Sequence, residues 1–291
     1  MSPEVWWSAS IAGVLGLLIG SFLNVVIYRL PRMLERQWEQ EVTEYATRAV
    51  PEGAAAQAPS EPFNLMLPRS HCQACAHQLR WYENIPVLSY VALRGKCSSC
   101  SASISMRYPL VELLVGSLFF YCGERFGLSA SGVAWAFFCA MLVAMAFIDW
   151  DTTLLPDALT LPLLWAGLLA SAAGWIEVSL LHSVVGAAAG YLSLWLVYWA
   201  FKLATGKEGM GYGDFKLFAA LGAWFGWPAL VPLILMASVV GACVGIAMKF
   251  ASRLRAGGYV PFGPFLVGAG LAALFLGPDT VQRAILGALS P

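Results

Sequence analysis

Apolar residues in this chain come in long runs, with one long polar interruption near the start. The runs fall at 5–28, 109–122, 131–148, 158–176, 180–201, 215–227, 229–248 and 262–278, and the interruption covers 29–107. A helix needs roughly 20 apolar residues to cross the hydrocarbon of a bilayer. The pattern therefore predicts an all-α polytopic membrane protein with about eight transmembrane helices. The 215–227 run is the shortest for a crossing, and a seven-span reading stays open beside it. The first run does not read as a cleavable signal peptide, because its leading residues include Glu4 and no Lys or Arg, and its apolar stretch is too long.

Composition agrees with a membrane setting. Of 291 residues, 59% are hydrophobic and 12% are charged, with a mean hydropathy of +0.70, whereas a soluble domain carries about 25% charged residues. The formal net charge is zero, so no overall basic field points to nucleic acid as a partner. The 12 Trp suit a protein with many rings at the lipid–water boundary. Arg29, Arg32 and Arg36 follow the first run, which places 29–107 in the cytoplasm by the positive-inside rule. Carried through eight spans, that topology puts all but Arg125 and Arg283 of the 17 Lys and Arg on the cytoplasmic side. Three short loops at 149–157, 203–214 and 253–261 then emerge on the same face as the insert.

The chain thus divides into a first transmembrane helix (1–28), a cytoplasmic insert (29–107) and a membrane-embedded region (108–291). Within the insert, Leu34, Trp38, Val42, Tyr45 and Ala49 recur at helical spacing. They predict an amphipathic helix over 32–50, lying on the membrane surface or packed on the rest of the insert. Residues 51–62 have linker composition. The stretch 70–107 carries Cys72-x2-Cys75 and Cys97-x2-Cys100. Two such knuckles can close a tetrahedral thiolate site, and zinc matches soft thiolates while staying redox-inert. The cytoplasm argues against disulfides, although a redox role is the competing reading. His71 and His77 flank the first knuckle and read as surface or supporting groups. Cys122, Cys139 and Cys243 lie in apolar runs and read as buried small hydrophobes.

Acidic residues are scarce after 107, and ionisable groups near membrane depth need a reason. Asp149 ends one apolar run and Asp214 begins another, in Gly211-Tyr212-Gly213-Asp214. Peptide hydrolysis by paired carboxyls needs one ionised group to activate water and one protonated group to polarise the scissile carbonyl. In such a pair, low dielectric and mutual repulsion let two carboxyls share one proton. A competing reading makes both residues solvated helix caps, since Asp is a good N-cap. Glu112, inside a span, reads as a packing group or an ion-pair partner of Arg107.

At this point the sequence resembles the bacterial type 4 prepilin peptidase (prepilin leader peptidase/N-methyltransferase) family. The segment 20–31, Gly-Ser-Phe-Leu-Asn-Val-Val-Ile-Tyr-Arg-Leu-Pro, is similar to its N-terminal signature. The paired C-x-x-C module matches its bifunctional members. Asp149 through Pro156-Asp157 fits D-x6-P-[DN], residues 208–217 fit the G-x-G-D motif with its flanks, and 261–266 (PFGPFL) resembles its last cytoplasmic loop. The resemblance implies that Asp149 and Asp214 are the catalytic pair, with Asp151 and Asp157 in support. It implies substrates that are prepilins and the pseudopilins of type II secretion, cut after the leader Gly on the cytoplasmic side of the bacterial inner membrane. It also implies N-methylation of the new N-terminus with S-adenosylmethionine. A basic leader finds candidate partners in Glu208 and Glu83.

No G-x-G-x-x-G turn after a strand occurs in 29–107, so the methyltransferase activity rests on resemblance and no residue is assigned to the methyl donor. Arg94-Gly95-Lys96 reads as an ordinary knuckle turn. The rival class is a transporter or assembly platform with a zinc-stabilised cytoplasmic domain. Transporters place ionisable residues near the midplane of repeated halves, whereas both aspartates here sit at one face and no repeat is evident. A third reading, a peptidase without methyltransferase activity, fits family members that lack the cysteine module.

Overall fold

Each apolar run folds as a helix, because a backbone out of water must satisfy its own N–H and C=O groups. The computed structural model describes residues 3–48, 63–251 and 260–277, with 280 and 283. The expected linker 51–62 and most of the 253–261 loop lie outside the described residues. The chain divides into two units, Met1–Tyr121 and Cys122–Pro291. Among the described residues there are helices, turns and two isolated bridges, but no strand.

In the first unit, α1 runs from Pro3–Arg48 without a break at Pro31. The expected membrane helix and amphipathic helix are therefore one element, and Trp38, Val42 and Tyr45 remain exposed on it. Ala49, at the end of the amphipathic pattern, lies outside the described residues. α2 (Leu88–Ala92) belongs to the cysteine module, and α3 (Arg107–Phe126) follows it. α1 meets α3 closely because it presents glycines there. A Cβ at Gly16 would lie 2.6 Å from Phe119 Cβ, and one at Gly20 would lie 2.8 Å from Glu112 Cα. Asn24 donates its side-chain N–H to the Tyr108 carbonyl at 3.1 Å.

The second unit holds α4 (Ala130–Thr152), α5 (Asp157–Ala172), α6 (Leu180–Thr205), α7 (Tyr212–Phe225), α8 (Leu230–Phe250) and α9 (Gly263–Leu276). α7 packs against α5, α6 and α9, α4 packs on α5 and α9, and α8 packs on α9. Phe215, Leu217, Phe218, Leu221 and Trp224 of α7 are all sealed from the surface. Gly186 and Gly190 of α6 permit this: a Cβ at 186 would stand 2.3 Å from the Gly222 carbonyl oxygen. Small residues four apart let two apolar helices touch backbone to backbone. The Trp224 indole N–H donates to the Leu163 carbonyl at 2.9 Å, so the buried ring leaves no orphan donor.

Four helices among the described residues are long and apolar enough to cross a membrane: α1, α4, α6, and α8 with the turn before it. About eight spans were expected, and the remaining apolar helices do not qualify by length or charge. α5, α7 and α9 have 16, 14 and 14 residues, and 14 residues span only about 21 Å. α3 carries Glu112 inside its apolar run and Glu124 and Arg125 in its last turn.

Candidate active site and metal centre

Asp149 lies in the last turn of α4, which Thr153 ends in a left-handed conformation. Asp214 lies in the first turn of α7. Both are buried, at 4% and 5% exposure, which removes the reading of solvated caps. Asp149 Oδ2 accepts the Gly263 N–H at 2.9 Å, at the start of α9. Asp214 Oδ2 accepts the Gly211 N–H at 3.3 Å, so it does cap its own helix, with one oxygen. Its other oxygen, Oδ1, is buried without a hydrogen-bond partner among the described residues. Buried polar atoms are nearly always paired, and the exceptions cluster where a site has work to do.

Leu155 wedges the helix ends together. Its side chain fills the space that a Cβ would need at Gly213, where the approach would be 2.5 Å, and lies 3.2 Å from a Cβ at Gly263. Leu155 thus touches the backbone beside each aspartate: Gly213, next to Asp214, and Gly263, whose N–H binds Asp149. Sequence reasoning found both carboxylates but missed what holds them. A side chain at position 263 would stand 2.5 Å from Asp149 Oδ2, so only glycine fits. The signal was present as a glycine between Phe262 and Pro264, although its partner lies 114 positions away.

The other acidic residues separate from this pair. Asp157 pairs with Lys216 across α5 and α7, and Asp151 is exposed. Glu112 accepts the Val87 N–H at 2.7 Å. Glu208 pairs with Lys202 at 2.8 Å. Glu83 has a side chain only 4% exposed, lies 3.3 Å from His77 and accepts the Arg80 N–H, so it serves the cysteine module and is not open to a basic leader.

The four thiols of Cys72, Cys75, Cys97 and Cys100 converge, with all sulfurs within 4.8 Å of one another. Cys72 and Cys100 sulfurs are 3.8 Å apart, and Cys75 and Cys97 sulfurs 4.0 Å. Four sulfurs at ~2.3 Å around one ion would stand about 3.8 Å apart, so the cluster fits a tetrahedral metal. The N–H groups of Ala74 and Cys75 push the Cys72 thiol down to about 7. Those of Cys100 and Ser99 lower Cys97 in the same way. His71 turns to the Arg69 carbonyl at 2.9 Å. Gly95, at φ +69, and Arg94, at φ 53, make the expected knuckle turn. Cys122 and Cys139 are buried as expected, whereas Cys243 is exposed on α8, whose faces are only partly covered.

Residues 14–126 match the family model for the bacterial peptidase A24 N-terminal domain, and 136–246 match the type IV leader peptidase family. The chain is 54% identical to a prepilin leader peptidase/N-methyltransferase of Stutzerimonas stutzeri, over 94% of this chain and 92% of the relative. The chain belongs to the type IV leader peptidase family. A Pseudomonas aeruginosa relative of the same name is 51% identical over 94% of this chain and 91% of its own. One from Aeromonas hydrophila is 50% identical over 96% and 93%. No solved structure gives a significant match. Within this family frame, the four cysteines fall in the N-terminal domain match and both aspartates in the peptidase match, while Gly263 lies beyond it.

Proposed function

We propose that this protein removes the leader peptide from type IV prepilins and type II secretion pseudopilins, cutting after the leader Gly, and then N-methylates the new N-terminal residue. The observation that carries the peptidase half is the buried Asp149–Asp214 pair, whose Asp214 Oδ1 has no partner among the described residues. One carboxylate takes a proton from water as that water attacks the scissile carbonyl, while the other, protonated, donates to the carbonyl oxygen; the first then passes its proton to the leaving amine as the C–N bond breaks. Gly263 holds Asp149 through its N–H, and the α9 N-terminus favours negative charge there.

The working arrangement is a first membrane helix over 1–28, a cytoplasmic insert over 29–107 and a peptidase region over 108–291, with eight membrane segments in the bacterial inner membrane and the site facing the cytoplasm. The short α5, α7 and α9 serve as interior segments of the bundle, which brings the aspartates to the membrane edge. A substrate helix held in the lipid would present its cleavage point there. Cys72, Cys75, Cys97 and Cys100 hold zinc, which folds the insert without entering the chemistry. S-adenosylmethionine supplies the methyl group.

Mass analysis of a purified prepilin incubated with the detergent-solubilised protein and S-adenosylmethionine tests this reading. The expected product has lost its leader after the Gly and gained one methyl at its N-terminus. An intact prepilin would refute the peptidase half, and a trimmed but unmethylated one the transferase half.

A further inference from the structure

The N-terminal unit contains a cavity of about 1550 Å³ walled by α1, the cysteine module and the start of α3. Pockets for drug-sized ligands run to roughly 300–1,000 Å³, so a nucleoside-sized molecule fits with room for a second reactant. The walls carry both signs of charge: Arg29, Arg32 and Arg36 face the cavity together with Glu39, Glu83 and Glu112. Arg29 is committed to structure, donating to the carbonyls of Asn64 at 2.9 Å and Pro68 at 2.6 Å. Arg32 lies over the Tyr28 ring at 3.7 Å, and Arg36 over the Phe63 ring at 4.2 Å. Stacking fixes both guanidinium planes and leaves their N–H edges open, with no carboxylate partner among the described residues.

We propose that this cavity is the S-adenosylmethionine site, an inference that rests on the bifunctional reading above. The ligand carries a carboxylate, an ammonium, a sulfonium, a ribose diol and a purine. The open edges of Arg32 and Arg36 match the carboxylate, since a guanidinium pairs with it in a planar fork. Glu39, at the solvent side of α1, suits the ammonium or the diol. The faces of Tyr90 and Tyr108 on the cavity wall offer stacking surfaces for the purine. A polyphosphate ligand matches less well, because Glu83 and Glu112 would repel it. The walls are held from behind: Arg29 pins the 63–68 segment, and Glu112 pins Val87, whose φ is +60. Binding groups on such supported walls need little reordering.

The transfer balances without a further reactant. The neutral α-amine of the trimmed pilin attacks the methyl carbon, and a C–N bond forms as the C–S bond breaks. The electron pair stays on sulfur, giving S-adenosylhomocysteine, and the methylated ammonium releases a proton to water. An α-amino group titrates at about 7.7–8.0, so the neutral form is available near pH 7 without a strong base.

The test uses the full-length protein in detergent, with S-adenosylhomocysteine titrated calorimetrically and radiolabelled S-adenosylmethionine cross-linked by ultraviolet light and mapped. Two variants are compared: Ser103→Trp, which sends a ring into the cavity from an exposed position, and the double Arg32→Ala, Arg36→Ala. Resistance of 63–107 to limited proteolysis reports that each is folded. The cavity assignment predicts label within 21–43 or 63–112, and at least about tenfold weaker binding in both variants, from lost charged hydrogen bonds or lost space. Unchanged affinity in both, with label on 122–291, would overturn the site but leave the bifunctional reading standing. A wild-type protein that neither binds nor methylates would overturn both.

Discussion

In the C-terminal unit, Phe215, Leu217, Phe218, Leu221 and Trp224 of one helix are sealed inside a bundle, whereas between residues 63 and 106 the buried hydrophobic set comes down to Cys97. The first region is held by large apolar side chains buried against neighbouring helices. The second is too small to build such a core, and its shape depends on four thiols meeting at one point. The contrast extends to the two candidate sites. The carboxylates stand on helix ends fixed by packing, while the cavity proposed for the methyl donor is walled in part by Cys72 and Cys97. The activities should therefore fail under different insults.

The largest expected effect is on the N-terminal unit. A chelator, or Cys72→Ser with Cys97→Ser, should unfold the cysteine module, seen as rapid proteolysis within 63–107 and loss of S-adenosylhomocysteine binding. A melting transition of the C-terminal unit should persist, because structural thiolate–metal sites supply folding energy only where they sit. Trp224→Ala attacks the other side of the comparison. It empties a fully buried site and should cost about 3–5 kcal/mol, read as a lower Tm for the C-terminal unit with ligand binding by the N-terminal unit retained.

Gly263→Ala is finer. Its methyl would strike Asp149 Oδ2, and displacing a catalytic group by about 1 Å can cost on the order of 10²-fold in rate. Leader cleavage should fall by that factor through kcat, with methylation of an already trimmed pilin preserved. The smallest effect belongs to Asp157→Asn. Its ion pair with Lys216 is open to solvent on the Asp157 side, and exposed pairs contribute at most about 1 kcal/mol. Cleavage should stay close to wild type. A large loss would move Asp157 into the chemistry and blur the line between the buried pair and its surroundings.

Helix positions were legible because each apolar run is long and uninterrupted, and the four cysteines were legible because two C-x-x-C pairs describe one local shape. The number of crossings was not, since a run of 14 residues reads alike whether it meets lipid or is wrapped by α5, α6 and α9. Asp149 and Asp214 stood out as rare acids at run ends. Their support did not: Gly263, Leu155 and the Gly186–Gly222 contact join residues far apart in the chain, and no local pattern carries that information. The merging of the two expected N-terminal helices into α1 was hidden by Pro31, which usually ends or kinks a helix.

Cleavage of a purified prepilin by wild type, Asp149→Asn and Asp214→Asn, each checked for folding by the Tm of its C-terminal unit, tests the central claim most directly. The account predicts that wild type cuts after the leader Gly and that both variants fall to background while still methylating a trimmed pilin. Normal cleavage by both variants would contradict it and return the two aspartates to the role of helix caps.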